Sequence, residues 1–207
     1  MENLWLSRAK RLQAIASTGL HFSKDEFDRE RYEELAEIAN AMLADLSNVP
    51  IARIRGLVSD FAKGYATPKV DVRGALIEDN KVLLVREKSD GRWTLPGGFA
   101  DIGRSASENV VAEIHEEAGI KARATHLYSV RHKAKAAYKP DARDFYKLFF
   151  LCERSEEIAP KAGTETTEVG FFAPDDIPEL SLGRVIERDI LGAFAFKAGA
   201  QRLTTFD

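Results

Sequence analysis

Glu113, Glu116 and Glu117 stand at i, i+3 and i+4, a spacing that brings side chains from neighbouring helical turns to one face. Like charges so placed repel, and a hard divalent cation with oxygen ligands would offset them. Mg²⁺ is commonly bound by a few carboxylates together with substrate phosphates. The alternative is a solvated acidic helix face. Just upstream, Gly97 and Gly98 form a paired-glycine turn, where backbone can approach a ligand closely and a carbonyl can complete a metal site.

The neighbouring residues position that chemistry. Ser105 and Glu108 form an S-x-x-E capping box, so the spacing predicts a helix from about Ala106. Gly119 is suited to end it in the left-handed conformation. Val110, Val111, Ile114 and Ala118 supply an apolar stripe that anchors the helix while its acids face elsewhere. Lys81–Val85 reads as a strand, and 92–98 as the loop leading to the helix.

The stretch from Gly98 to Ile120 resembles the Nudix hydrolase signature G-x5-E-x7-R-E-U-x-E-E-x-G-U, where U is apolar. Gly98, Glu113, Ile114, Glu116, Glu117, Gly119 and Ile120 match it. Arg104 stands in the slot of the first acid and Ala112 in that of the arginine. In the family those two residues often support loop and helix, so the departures bear on local rigidity more than on metal binding. Segments 64–75 and 146–152 are similar to a subgroup acting on nucleoside diphosphates linked to a second group X. That subgroup includes CDP-choline pyrophosphatase-like and ADP-ribose pyrophosphatase-like enzymes with a helical N-terminal extension.

The resemblance implies an α+β fold, a Nudix-type α/β/α sandwich with a mixed sheet, plus a small N-terminal helical domain. It implies Mg²⁺ or Mn²⁺ held by Glu113 and Glu117, with Glu116 as a third ligand or a base, and with the Gly97 carbonyl as a further ligand. A distal base is expected in the loop before the strand at Val169, with Glu168 as first choice and Glu165 as second; an ordinary loop acid is the alternative for each. From Arg131 to Lys147 six basic residues face two acids, a local excess suited to phosphates or to a solvated loop. Arg131, His132 and Lys133 are therefore substrate-binding candidates, together with Arg86 at the end of its strand. Lys147 alternates within a strand and is expected to face water. Tyr65 and Phe99 are candidates for stacking a base; Tyr138 and Trp93 are also near the presumed cleft, Trp93 as support for the glycine loop.

Composition bounds the rest. The 207 residues suit one medium domain with a small appendage, divided as 1–66 and 67–207. A single cysteine, Cys152, excludes an internal disulfide framework and reads as a buried small hydrophobe. With no apolar run long enough for a membrane span, a cytoplasmic protein is expected. Residues 1–66 carry nine Lys/Arg against ten Asp/Glu, and the net charge is −3, so DNA binding is not expected.

Three helices are expected in the first 63 residues. Their apolar faces are Leu4, Leu6, Leu12, Ile15 and Leu20, then Tyr32, Leu35, Ile38, Ala39, Met42 and Leu43, then Ile54, Leu57, Val58 and Phe61 after Pro50. So thin a bundle buries little alone, which points to packing on the catalytic domain or to a homodimer. Further strands are expected at 70–77, 124–130, 145–151 and 169–172, with a closing helix over 183–198. The expected activity is hydrolysis of a nucleoside diphosphate-X compound to a nucleoside monophosphate and phosphorylated X. RNA-end processing and an idle nucleotide-binding or regulatory domain are the alternatives.

Overall fold

The computed structural model describes residues 2–59 and 65–207. Two compact units emerge: one comprises Met1–Lys69, Ala134–Ala136 and Pro140–Phe145, the other Val70–Lys133, Ala137–Lys139 and Tyr146–Asp207.

In the first unit, α1 (Leu4–Phe22) starts where the Asn3 side chain accepts the Trp5 amide, and α2 (Glu26–Ser47) where Asp25 accepts that of Asp28. Asn48 ends α2 in the left-handed conformation, and α3 (Ile51–Ser59) follows Pro50. The buried face of α1 is not the leucine-rich one expected. Leu4 and Ile15 are exposed, whereas Ala9, Ala16 and Ser17 are buried beside Leu6. Small residues allow close approach, and at Gly19 a Cβ would collide with the Tyr32 ring. Ile38 of α2 is likewise exposed, while Leu43, Ala44 and Ile54 close the core with Leu6 and Ala9. The Val58 side chain, Phe61 and Gly64 lie outside the described residues. Lys10 Nζ donates to Glu2 Oε2 at 2.7 Å and to Asp144 Oδ1 at 2.5 Å, tying the 140–145 segment to α1.

The second unit is built on strands β1 (Lys69–Glu78), β2 (Lys81–Glu87), β3 (Trp93–Thr94), β4 (Ala122–His132), β5 (Phe145–Arg154) and β6 (Thr166–Phe172). The sheet runs β3-β2-β1-β5-β4, and β6 pairs with β2. Asp79 and Asn80 both take positive φ, as the two-residue turn of a tight hairpin requires. β1 pairs with β2 only near that turn, through Ile77↔Val82 and Glu78↔Lys81. Farther along, β3 pairs with β2 at Val85 and Arg86, and the loop after β3 reaches β1.

Helix α4 (Ala106–Ala118) has the expected capping box, with Ser105 and Glu108 bonding reciprocally, and Gly119 at φ 68° ends it. Val110, Ile114 and Ala118 enter a core with Val72, Leu76, Leu83 and Phe150. Gly74 lies so close to Ile114 that a Cβ would collide with it. The closing helix α5 is shorter than expected, Glu187–Lys197. Val185 and Ile186 are buried ahead of it, and the Asp189 carboxylate accepts the Ile186 amide at 3.0 Å to start the helix there.

Candidate active site

Helix α4 presents its three glutamates unequally. Glu117 is buried, Glu113 half-buried and Glu116 exposed. The three therefore do not converge as the spacing suggested, and among the described residues no trio of His, Cys, Asp or Glu is gathered to hold a metal by itself. Helical geometry explains this: of three positions spanning some 100° of arc, only the inner two reach the glycine loop. The Gly97 amide donates to Glu117 Oε2 at 2.9 Å. Glu113 Oε1 lies where a Cβ of residue 98 would be, so glycine at that position leaves room for the carboxylate. Burial pushes the Glu117 carboxyl up to about 8 and that of Glu113 up to about 7, with the Arg73 guanidinium opposing the rise in both.

The loop 95–98 is laced to β1. Val72 and Gly74 donate their amides to the Gly98 and Pro96 carbonyls, and Arg73 Nη1 donates to the Leu95 carbonyl at 3.2 Å. Arg73 forks onto Asp71, at 3.0 Å from Nε and 2.9 Å from Nη2. Lys147 Nζ donates to the same Asp71 carboxylate at 2.7 Å. All three side chains are buried, and Lys147, expected to face water, is 1 % exposed. Its charge is retained inside because Asp71 supplies the counter-ion; burial nevertheless pushes it down to about 8. Asp71, despite burial, is held at about 2 by Arg73 and Lys147.

The remaining candidates scatter. At the end of β2, Glu87 is buried against Arg184, with Nε to Oε1 at 2.9 Å, and Arg86 is the more exposed. Arg86 Nη1 pairs with Glu168 Oε1 at 2.6 Å across the β2–β6 register. Glu165 lies on the loop 163–165, which is docked on the end of α4. The Gly163 amide and the Thr166 hydroxyl both donate to the Glu117 carbonyl, and Lys88 donates its amide to the Glu165 carbonyl. The charge of Glu165 is felt at Glu113.

Arg131 is buried and donates to Thr205 Oγ1 at 3.0 Å, lining a cavity of about 580 Å³ with Tyr128, Asp189 and Gln201. The His132 amide binds the Asp207 carboxylate, and Lys133 is buried at the start of a 3₁₀ turn. Phe99 is 44 % exposed and bridges Asp71 through its backbone. Tyr65 is an exposed residue of the first unit. Tyr138 is buried, its hydroxyl on Asp189 Oδ2 at 2.7 Å, and Trp93 meets Phe172 edge-on. Cys152 is buried, its thiol pushed up to about 12.

Residues 68–193 match the family described as the NUDIX domain, and this match spans more than half of the chain. The chain is a Nudix hydrolase. Residues 3–58 match a second family, described as a UDP-X-like, N-terminal oligomerisation domain. The Bacillus subtilis protein named "Putative ADP-ribose pyrophosphatase YjhB" is 43 % identical over all of this chain and 99 % of its own. A crystal structure of a UDP-X diphosphatase is 33 % identical, covers 98 % of both chains and superposes with a TM-score of 0.64. An ADP-ribose pyrophosphatase from Streptococcus suis is 35 % identical over 68 % of this chain and all of its own, with a TM-score of 0.59.

This Nudix hydrolase departs from the signature at Arg104 and Ala112, and the structure shows what stands in their place. Arg104 is exposed, with only a 3.7 Å approach to Asp101. Buried Asn109 instead ties the loop to the helix, accepting the Asp101 amide at 2.9 Å and donating toward the Asp101, Arg104 and Ser105 carbonyls. The family works with divalent metal, and the residues present suit a hard cation. One buried and one half-buried carboxylate, both with raised proton affinity, offer oxygen donors in a place that favours an added positive charge, and Mg²⁺ needs only one or two carboxylates beside waters and phosphates. Sequence reading missed Asp71, Arg73, Glu87 and Asn109. The available signal was the pair of charges at alternate positions of the otherwise apolar strand 70–77.

Among the described residues no helix is long and apolar enough to cross a bilayer.

Proposed function

We propose that this Nudix hydrolase cleaves the pyrophosphate bond of a nucleoside diphosphate linked to a second group, of the ADP-ribose, CDP-choline or UDP-X kind. The products are a nucleoside monophosphate and a phosphorylated X. The observation that carries the reading is the Glu113/Glu117 pair set against the glycine loop. Relatives named for ADP-ribose and UDP-X support the substrate class.

Glu113 and Glu117 would hold Mg²⁺ or Mn²⁺, with Glu116 and the Gly97 carbonyl as outer partners. When bound, the cation supplies neutralisation of phosphoryl oxygens and acidification of water. The Gly97 amide keeps the Glu117 carboxylate turned toward the loop. Glu165 takes precedence over Glu168 as the group that accepts the proton of the attacking water, because Glu168 is engaged by Arg86. Arg86, Arg131, His132 and Lys133 are proposed for the phosphates, and Phe99 for the base.

The proposed division is a helical domain of residues 1–66 and a catalytic domain of residues 67–207, assembled as a cytoplasmic homodimer. Leu4, Trp5, Phe22, Phe27 and Ile38 are exposed apolar side chains of the helical part, and its family match is to an oligomerisation domain.

The test is product analysis over a panel of ADP-ribose, CDP-choline, UDP-sugars and capped RNA with Mg²⁺ or Mn²⁺. Release of nucleoside monophosphate only when metal is present supports the reading. Nucleotide binding without turnover of any member refutes it in favour of a regulatory domain.

A further inference from the structure

The last carbonyls of a helix have no partner within it, and in α4 they belong to the turn that carries Glu117. A loop and a strand from much later in the chain take them up. The Lys161 amide donates to the Ala118 carbonyl at 2.9 Å, and the Gly163 amide to that of Glu117 at 3.2 Å. The Thr166 hydroxyl donates to the same Glu117 carbonyl at 2.8 Å and accepts the Gly163 amide at 2.9 Å. Gly163 rests directly on the helix, since a Cβ there would overlap the Glu116 carbonyl.

A β-bulge brings Thr166 to this place. Two positions apart on a regular strand, Thr166 and Glu168 would share a face. The register slips by one residue between Arg86↔Glu168 and Glu87↔Thr166, which leaves Thr167 as the extra residue of β6. Arg86 and Glu87 are neighbours on β2 and point to opposite faces. Glu168 therefore meets Arg86 on the outside, while Thr166 turns inward on the side of buried Glu87. At 2 % exposure the Thr166 hydroxyl costs stability unless it is bonded, and its bonds go to α4 and the loop. Lys88 holds the other side of the loop, its amide on the Glu165 carbonyl at 3.1 Å and Nζ on that of Thr164 at 2.5 Å. The backbone at Glu165 is thus fixed between β2 and the end of α4.

We propose that Thr166, with Gly163, is a positioning residue that locks the Glu117 turn of α4 and the Glu165 loop into one arrangement. This rests on the reading of Glu117 as a cation ligand and of Glu165 as the base. Thr166 touches neither substrate nor cation.

Two readouts test it. Free Mn²⁺ is titrated first, without nucleotide, so this arm stands whichever substrate the enzyme takes. Thr166→Val keeps the shape and loses the hydroxyl; it should weaken Mn²⁺ binding by ~10-fold, and Thr166→Ser by no more than ~threefold. In a Glu117→Gln background Thr166→Val should add less than ~twofold, because the ligand it sets is already lost. Wild-type affinity in Thr166→Val, or equal losses in both backgrounds, overturns the proposal. A Glu117→Gln protein that binds Mn²⁺ like wild type sinks the ligand assignment, and the proposal with it.

The second readout is turnover at saturating Mn²⁺. Thr166→Val should lower kcat by ~10–100-fold with KM within ~threefold, and Thr166→Ser should recover most of the loss. In a Glu165→Gln background the loss from Thr166→Val should shrink to less than half on a logarithmic scale. A change in KM alone, or a kcat loss that serine does not recover, overturns the proposal. Should Thr166→Val not fold, Gly163→Ala, which pushes the loop off the Glu116 carbonyl, must show the same weakening of Mn²⁺ binding. If neither variant folds, the contact is a folding element only and the proposal is overturned.

Discussion

The Gly97 amide meets Glu117 Oε2 at 2.9 Å, joining the glycine loop to the inner acid of the helix. The loop thus orients a carboxylate twenty positions away in sequence. Glu117→Gln keeps an oxygen for that bond while removing a ligand charge. Turnover should fall by ~100-fold or more at limiting Mg²⁺, with circular dichroism unchanged. Near-normal turnover in this variant would defeat the metal assignment.

The raised carboxyls of Glu113 and Glu117, at about 7 and about 8, make the folded metal-free chain bind protons that the unfolded chain has lost above the ordinary glutamate value of 4.5. The stability this contributes is complete below 4.5 and disappears as pH rises through about 7 and about 8. Metal-free wild type should accordingly lose melting temperature between about pH 5 and 8 relative to Glu117→Gln. Lys147, pushed down to about 8, adds stability with rising pH only above that window. Calorimetry of Mn²⁺ binding at neutral pH in two buffers of different ionisation heat should show proton release. Buffer-independent heats would contradict the pair's role.

Gly98 faces the Glu113 carboxylate with only hydrogen. Gly98→Ala should push that carboxylate aside and weaken Mn²⁺ binding by ~10-fold or more, while the melting temperature of metal-free protein stays close to wild type. Paramagnetic titration of free Mn²⁺ measures it, and unchanged affinity would remove Glu113 from the ligand set.

Glu165 and Glu168 flank the start of β6 but differ in engagement, since Arg86 holds Glu168. Glu165→Gln should cost kcat ~10²–10⁴-fold, the usual range for a general base, and Glu168→Gln far less. The reverse order in steady-state kinetics would transfer the role to Glu168.

The exposed apolar side chains of α1 and α2 predict a stable homodimer burying about 1,600 Å² in total. Light scattering should give twice the chain mass of 23.0 kDa at micromolar concentration. Trp5→Glu with Phe27→Glu should reduce it to the monomer. A mass near 23.0 kDa for wild type, unchanged by dilution, would rule the dimer out.

Local signals made much of this protein legible in one dimension. The capping box at Ser105, the left-handed Gly119 and the period of α4 each depend on residues within a few positions of one another. The signature's acids and glycines therefore announced the reaction class before any coordinates, and the family matches agree. Burial and partner choice across the sheet were not legible, because they depend on which distant strands meet. Lys147 turned inward because β5 brings it to Asp71, 76 residues earlier. Glu87 is buried because Arg184 covers it, while its neighbour Arg86 reaches Glu168 on β6. In α1 the small residues Ala9, Ala16 and Ser17 were buried beside Leu6 while Leu4 and Ile15 stayed outside, a choice made by the close approach of α2. Spacing alone placed three glutamates on one face; only the loop laced to β1 decided that Glu113 and Glu117 lie inward and Glu116 in solvent.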